Sequence, residues 1–226
     1  MAKRIFWALL LVMPAAGGAF AQAKLSAGFG GNFAVSFVQT TTPAIYGDFE
    51  YSEYSVTTSG GGFYVFFDAA YVEVDVGMLF GSQKMKTSVA GASATTDGPD
   101  VTYLTLGLYG KYPIDLGGFT MFPMLGVQYD IGLSAKQTVG GITVEANSQD
   151  LPDALNKLWI KLGVGADFNL SDAVYFRPSA LYGINFGTKH ENNAVKGLVK
   201  DAYGRTYAAI AFYHGLDIRV ALGFKF

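Results

Sequence analysis

The chain has 226 residues, of which only 15% are charged, and 16 basic against 18 acidic residues give a formal net charge of −2. Average domains carry about 25% charged residues, and a chain without net basic charge does not attract nucleic acid, so that class of partner is excluded. The absence of cysteine excludes disulfides, thiol chemistry and cysteine-ligated metals.

The first element in chain order is an N-terminal targeting segment. Lys3 and Arg4 form a positive region ahead of the apolar run 5–13, and small residues follow that run. This order is typical of a secretory signal peptide rather than a spanning helix, so we predict that residues 1–23 are cleaved. Two A-x-A motifs mark the cleavage region, whose small residues are Ala19, Ala21 and Ala23. The exported protein is then one β-barrel domain over residues 24–226.

The rest of the chain alternates between apolar residues and polar or small ones, which is typical of strands with one apolar face. The 14 Tyr, 18 Phe and 29 Gly residues also favour sheet over helix. The alternating segments are 26–39, 61–68, 71–81, 101–112, 119–132, 158–169, 174–186 and 206–226. Segment 61–68 is aromatic on both faces, so its orientation stays open. Pro123 and Pro178 lie inside strands and predict lost ladder bonds or bulges.

The connections between these segments alternate in length. The short ones are 68–70, 113–118 and 170–173, and the long ones are 39–60, 82–100, 133–157 and 187–205. Short turns at one end and long loops at the other are the plan of an outer-membrane barrel. A closed barrel in lipid also gives each strand face a suitable environment, because apolar side chains contact acyl chains and polar side chains line a lumen. We therefore predict an all-β fold, an eight-stranded antiparallel up-and-down transmembrane β-barrel with both termini at the periplasmic end.

Two stretches resemble a known family. "IRVALGFKF" (218–226) is an alternating run that ends on an aromatic residue, and it resembles the C-terminal signature of outer-membrane barrels. "KLGVGADFNLSDAVYFRPSALYGINF" (161–186) resembles the penultimate hairpin of small OmpA-like, OmpX-like and OmpW-like barrels. The matching residues of that hairpin are Gly163, Gly165, Phe168, Leu170, Ser171, Asp172 and Arg177. The resemblance implies a bacterial outer-membrane location and an assembly signal for the barrel assembly machinery, formed by Leu222, Phe224 and Phe226.

Strict alternation turns charged side chains of both signs into the lumen. The inward acidic residues are Glu73, Asp75, Asp130, Asp167 and Asp217, and the inward basic residues are Lys111, Lys161, Arg177, Arg219 and Lys225. An eight-stranded barrel has an interior that side chains can just fill, so its charges must pair or stay hydrated. We predict an ionic network in the periplasmic half that closes the lumen to ions, with Tyr109 and Tyr175 as neighbours. Its members are Glu73, Asp75, Lys111, Asp167, Arg177, Asp217 and Arg219.

The sequence carries no pattern that points to catalysis, a metal or a cofactor. Its two histidines are His190 and His214, and neither has partners spaced for acid–base chemistry or metal ligation. A few eight-stranded barrels are lipid-modifying enzymes with a His and a Ser near the outer surface, but His214 has no Ser at a short spacing. We therefore expect neither enzyme activity nor a cofactor.

Three hypotheses for function remain, and the sequence does not choose between them. The OmpW-like resemblance implies envelope integrity, with a narrow pore or lateral passage of small apolar molecules. The alternative is an adhesin or ligand-binding barrel that acts through its long extracellular loops. The acidic, aromatic stretch 46–54 could contact a host protein or a cation, or could be an ordinary solvated loop. A lipid-modifying enzyme is the third. The expected partners are outer-membrane lipid, the assembly machinery, and a host or small hydrophobic ligand at the loops.

Overall fold

A computed structural model of the protein describes residues 25–42, 52–89, 92–139, 141–147, 155–186 and 210–226. Nearly all of them lie in strands, and within these ranges no helix is long and apolar enough to cross a membrane. The strands are β1 (Leu25–Thr42), β2 (Ser52–Ala69), β3 (Val72–Val89), β4 (Ala92–Lys111), β5 (Ile114–Asp115), β6 (Phe119–Val139), β7 (Ile142–Asn147), β8 (Lys157–Asn169), β9 (Val174–Phe186) and β10 (Ile210–Lys225).

Eight of these strands form a closed antiparallel ring. The hydrogen-bonded order is β4-β3-β2-β1-β10-β9-β8-β6, and β6 pairs with β4 to close it. The short strands β5 and β7 both pair with β6 and stand outside the ring. The first and last ring strands are neighbours, with Phe33 of β1 opposite Ile218 of β10. The predicted eight-stranded up-and-down barrel is confirmed.

The strands extend further than the sequence predicted. Residues 40–42, 52–60, 82–89, 92–100, 133–139 and 142–147 were expected in long loops, whereas the structure has them in β1, β2, β3, β4, β6 and β7. Stretch 82–100 is therefore mainly a β-hairpin. The physical reason is that these extensions carry Ser, Thr and charged residues on both faces, so their strand period produces no apolar stripe. Residues 43–51, 148–154 and 187–209, including most of stretch 46–54 and His190, lie outside the described ranges, as does the signal segment.

The side chains of β2 separate cleanly between the two faces of the sheet. Tyr64 and Phe66 are buried in the lumen, while Phe63, Val65 and Phe67 are exposed on the outer surface. The orientation that the sequence left open is thus decided by neighbouring strands. Gly28 of β1 leaves the room that Phe66 occupies, since a Cβ at Gly28 would lie 2.5 Å from the Phe66 ring.

The two strand prolines leave the alternation intact. Pro123 stays in register opposite Val164, and Pro178 stays in register opposite Val220. The register steps occur elsewhere, between Ser82 and Lys84 in the β3–β4 pairing and at Thr102/Tyr103 in the β4–β6 pairing. A proline that costs a ladder bond without a register step does not move side chains to the other face.

The outer surface is an apolar belt reinforced by aromatic pairs that join neighbouring strands. Ring centroids lie 6.3 Å apart for Phe29 and Phe224 and 5.2 Å apart for Phe119 and Phe168. Such cross-strand pairs stabilise a sheet beyond its backbone bonds. On β3 the belt runs from Val72 to Phe80, and polar residues follow from Ser82 onwards.

We predict that single cysteines report the orientation of the barrel, since the chain has none of its own. Thr143→Cys lies in exposed β7 and Leu116→Cys lies in the exposed turn at the opposite end. A membrane-impermeant maleimide should label Thr143→Cys on intact cells and label Leu116→Cys only after the outer membrane is permeabilised. Labelling in the reverse order would overturn the predicted orientation.

Candidate functional site: the charged interior of the barrel

Strand alternation and small neighbours together position the charged groups of the lumen. Glu73 and Asp75 are two apart on β3, and Asp217 and Arg219 are two apart on β10, so each pair lies on the inward face. Gly107 makes room for Asp75, because a Cβ there would lie 2.4 Å from an Asp75 carboxylate oxygen. Inward glycines therefore allow charged side chains to cross a narrow interior.

The lower layer, nearest the short turns, is centred on Arg177. Its Nη1 donates to Glu73 Oε2 at 2.5 Å, and its Nη2 donates to Asp68 Oδ2 at 2.6 Å. Asp167 accepts from both Nε and Nη2, at 2.6 and 2.8 Å, in the two-bond geometry that suits a guanidinium. Lys111 donates to Asp68 and lies 4.0 Å from Glu73. Arg177 is only 2% exposed, so its charge depends on these partners.

Aromatic rings enclose the guanidinium of the lower layer. Its central carbon lies 4.8 Å from the Phe66 ring centroid, 4.9 Å from that of Tyr175 and 5.0 Å from that of Phe122. Cations are attracted to the faces of such rings, and the effect grows when water is excluded. Tyr175, which was predicted as a neighbour, is itself held by a 2.8 Å hydrogen bond with Ser26.

The upper layer, one step further along the barrel, is centred on Arg219. Its Nη1 donates to Asp75 Oδ2 at 2.5 Å and its Nε donates to Asp217 Oδ2 at 2.8 Å. Its Nη2 donates to the Tyr109 hydroxyl at 3.0 Å and to Gln128 Oε1 at 2.9 Å. Residues from β3, β4, β6 and β10 thus meet at one guanidinium.

A second cation completes the upper layer. Lys161 donates to Asp217 Oδ2 at 2.8 Å and to Gln128 Oε1 at 2.7 Å. Asp130 accepts from Gln128 Nε2 at 2.6 Å and from Trp159 Nε1 at 2.7 Å. Every one of these side chains is buried, so the layer forms a continuous hydrogen-bonded partition across the lumen.

The two layers separate two spaces within the barrel. Below the lower layer a vestibule of about 650 Å³ opens at the short-turn end and is lined by Asp68, Lys111 and Asp167. Above the upper layer a cavity of about 40 Å³ is lined by Asp130, Trp159 and small residues. A water needs roughly 10–15 Å³ of such volume, so this cavity holds only a few waters.

Seven network residues were predicted from the sequence, and the structure distributes them between the two layers. Glu73, Lys111, Asp167 and Arg177 lie in the lower layer; Asp75, Asp217 and Arg219 lie in the upper one. Asp68 was missed, because it ends the segment whose orientation was left open. Lys161 and Asp130 were predicted to face inward but not to belong to the network. Lys161 joins it directly through Asp217, and Asp130 joins it through Gln128, which carries no charge.

The lumen holds six charges of each sign rather than the five that strict alternation predicted, because Asp68 and Lys157 also face inward. The lower layer has three carboxylates (Asp68, Glu73, Asp167) against two cations, and the upper layer has three (Asp75, Asp130, Asp217) against two. Lys225, which completed the predicted balance, lies at the mouth and donates to Asn169 Oδ1 at 2.5 Å. Carboxylates outnumber cations within the two layers, and Lys157, which lies opposite Asp130 and lines the cavity above, restores the balance of the lumen.

The second histidine lies on the outer wall rather than in the lumen. The His214 ring is 5.4 Å from the Phe37 ring and 5.8 Å from the Tyr182 ring. Within the ranges that the structure describes, His, Cys, Asp and Glu residues form no group of three or more that could hold a metal ion.

One comparison with known proteins shows a family for this chain. A family model described as "Outer membrane protein beta-barrel domain" matches residues 20–187, which is more than half of the chain. No curated protein matches the chain. Among solved structures, OprG from Pseudomonas aeruginosa is 11% identical, with 90% of this chain and 96% of that chain covered and a TM-score of 0.46.

Two further solved structures are similar at the same level. Neisserial surface protein A is 10% identical, with 88% of this chain and 97% of that chain covered and a TM-score of 0.35. Ail of Yersinia pestis, in complex with the heparin analogue sucrose octasulfate, is 12% identical, with 90% and 99% covered and a TM-score of 0.31.

We predict that Arg177→Ala strongly destabilises the barrel, because the buried carboxylates of Asp68 and Glu73 and the partly buried one of Asp167 lose their common partner. Removing one partner of a buried ion pair typically costs about 3–5 kcal/mol, and we expect the free energy of unfolding in urea to fall by that amount. Lys136→Ala is the matched control, because its 3.4 Å pair with Glu145 is half exposed and such pairs contribute about 0–1 kcal/mol. Equal losses for the two variants would show that the lower layer contributes no more than a surface pair.

Proposed function

Because this chain belongs to the outer membrane protein beta-barrel domain family, we propose that it is an integral outer-membrane barrel with a sealed lumen that contributes to envelope integrity. The observation that carries this proposal is the pair of stacked ionic layers. Each spans the interior, and each is centred on one buried arginine, Arg177 or Arg219, with at least two carboxylate partners.

A narrow pore along the barrel axis fits this geometry poorly. A passing ion would have to displace Arg177 or Arg219 from carboxylates that are themselves buried. Separating such pairs leaves uncompensated charge in a low-dielectric interior, which costs several kcal/mol. Because the two layers lie in series along the barrel axis, an ion that crosses the lumen would have to pass both of them.

Small apolar molecules that entered from outside would have to leave the barrel sideways, through its wall, above the upper layer. Support for this second role comes from the small residues that line the upper cavity, among them Ala34, Ser36 and Gly60. Where the inner face carries small residues, little side-chain volume separates the cavity from the outer surface. Uptake of an apolar dye by intact cells should then fall when Ala34, which lines that cavity, is replaced by Leu, while uptake of a charged dye stays at background. The variant is first shown to keep its heat-dependent mobility shift.

Surface binding is favoured by a different observation, the two extracellular hairpins. The β3–β4 and β6–β7 strands extend beyond the apolar belt and present exposed charges such as Lys136 and Glu145. A barrel in which residues 84–97 are replaced by a short turn would lose adhesion to host cells or matrix under this alternative. Unchanged adhesion by a variant that reaches the outer membrane at the normal level would exclude the surface-binding role.

The C-terminal strand supports a role in assembly. Leu222, Phe224 and Phe226 all face outward on β10 or directly after it, and Phe226 is 79% exposed. An aromatic residue with so little intramolecular contact contributes little to folding stability, which leaves recognition by the assembly machinery as its proposed role. Cleavage within Ala19–Ala23 likewise stays a proposal, which N-terminal sequencing of the mature protein would test.

We expect Phe226→Ser to lower the outer-membrane level of the protein severalfold without changing its folding in detergent. The exposed turn variant Leu116→Ser should leave both unchanged, since it alters another exposed apolar residue at the same end. Fractionation of membranes followed by immunoblotting measures the first quantity, and the mobility difference between boiled and unboiled samples measures the second. Equal membrane levels for the wild type and Phe226→Ser would exclude the assembly role.

In planar bilayers we expect the native protein to show no steady single-channel current. Because the layers act in series, the double variant Arg177→Ala/Arg219→Ala should conduct more than either single variant. Removing both arginines leaves six lumen carboxylates against four lysines, so that current should be cation-selective, with a reversal potential in a KCl gradient shifted toward the potassium equilibrium potential. Lys136→Ala should behave as the native protein does. Large, steady currents from the unmutated barrel would overturn the sealed-lumen proposal.

A further inference from the structure

The outer wall of the barrel carries a polar patch directly above the apolar belt. We call it the rim patch, and its outward residues are Phe37, Ser55, Thr57, Lys84, Lys86, Ser88 and His214. On β3 the apolar positions end at Phe80, and polar positions follow from Ser82. The patch therefore lies at the level where acyl chains give way to lipid headgroups.

Strand register orders the patch from aromatic to cationic. His214 is opposite Phe37, Phe37 is opposite Thr57, and Thr57 is opposite Lys84, which makes one row across four strands. One step further out, Ser55 is opposite Lys86. Residues opposite each other in an antiparallel sheet face the same side, so all of these side chains meet at one surface.

A concavity of about 400 Å³ lies within the patch. It is bordered by Phe37 and His214 on one side and by Lys86 and Ser88 on the other, with Ser55, Thr57 and the aliphatic Val38 and Val56 between them. Lys84 is not part of this lining but lies opposite Thr57. The stacked Phe37 and His214 rings, 5.4 Å apart, form its apolar wall. The concavity thus joins an aromatic surface to a group of hydroxyl and ammonium donors.

The two lysines of the patch differ from the other extracellular lysine of the wall. Lys136 pairs with Glu145 at 3.4 Å. Asp97 lies opposite Lys84 in the β3–β4 register, yet among the side chains that the structure describes neither Lys84 nor Lys86 makes an ion pair. Two exposed ammonium groups on one strand face therefore lie beside several hydroxyl groups.

We propose that the rim patch binds the phosphomonoester headgroup of an outer-leaflet glycolipid. A phosphomonoester carries about −1.5 to −2 charges at neutral pH and three acceptor oxygens, which match the charge and the donors of the patch. Lys84 and Lys86 neutralise the phosphate, and the Ser55, Thr57 and Ser88 hydroxyls donate to it. The Phe37 and His214 rings flank these donors in the same row of strand partners and offer an apolar contact beside the headgroup. This site is independent of the lumen, so it stands or falls separately from the sealed-barrel proposal.

The test measures lipid retention by the full-length barrel in phosphatidylcholine nanodiscs. The probes are bisphosphorylated lipid A and the same lipid after enzymatic dephosphorylation, and native mass spectrometry counts bound molecules per barrel. We expect the phosphorylated form to bind at least tenfold more tightly. Removing one charge-assisted contact typically weakens binding by about tenfold, so Lys86→Gln should lose about that factor and Lys84→Gln/Lys86→Gln more. Lys86→Arg should retain binding.

Three controls distinguish binding at the rim patch from a diffuse charge effect, from binding of free phosphate and from misfolding. Lys136→Gln removes an extracellular charge from the same wall and should leave lipid binding unchanged; an equal loss would show a diffuse charge effect and overturn the site. Inorganic phosphate at millimolar concentration should not displace the lipid; full displacement would mean that the patch binds free phosphate instead. Each variant is first shown to retain its heat-dependent mobility shift. Equal retention of both lipid forms by a folded native barrel would also overturn the proposal.

Discussion

Closure of the backbone hydrogen-bond ladder is the constraint on which the rest of this structure depends. Each of the eight ring strands has two partners, and the pairings of β1 with β10 and β4 with β6 leave no edge in the ring. In lipid no water is available to satisfy a free edge, so a closed ring is the way in which strands span the membrane. Closure also gives the sheet two unlike surroundings, an apolar exterior and a confined interior.

The confined interior explains why the charged side chains are organised around arginine. Arg177 and Arg219 present several donors in one plane, which lets each hold carboxylates from different strands at once. A buried ion pair is weak evidence for net stability, because desolvation offsets much of its attraction. We interpret the layers as a device that fills the lumen and specifies which strands lie opposite one another, as Glu73 and Arg177 do across the barrel.

The exterior shows a second consequence of the same closure. Outside the apolar belt the strands continue, and the register that aligns Phe33 with Ile218 in the belt also aligns Thr57 with Lys84 above it. A polar surface at the headgroup level is therefore built by the same pairings that build the transmembrane wall. Strand order alone brings aromatic, hydroxyl and cationic side chains into one row, although they come from separate parts of the chain.

The sequence by itself determined the class of fold, the number of ring strands and the inward direction of most charged residues, because a period of two is a local property that lipid and lumen impose on every spanning strand. It did not determine the extended hairpins, since polar residues on both faces produce no such period. It also did not determine the direction of Asp68, because its strand carries aromatic residues on both faces and the inward face could not be identified. The partners of Arg177 and Arg219, and the division of the charges into two layers, depend on which residues share a height in the barrel. That is set by the shear of the closed ring, a tertiary quantity to which residues more than a hundred positions apart contribute, as Glu73 and Arg177 are.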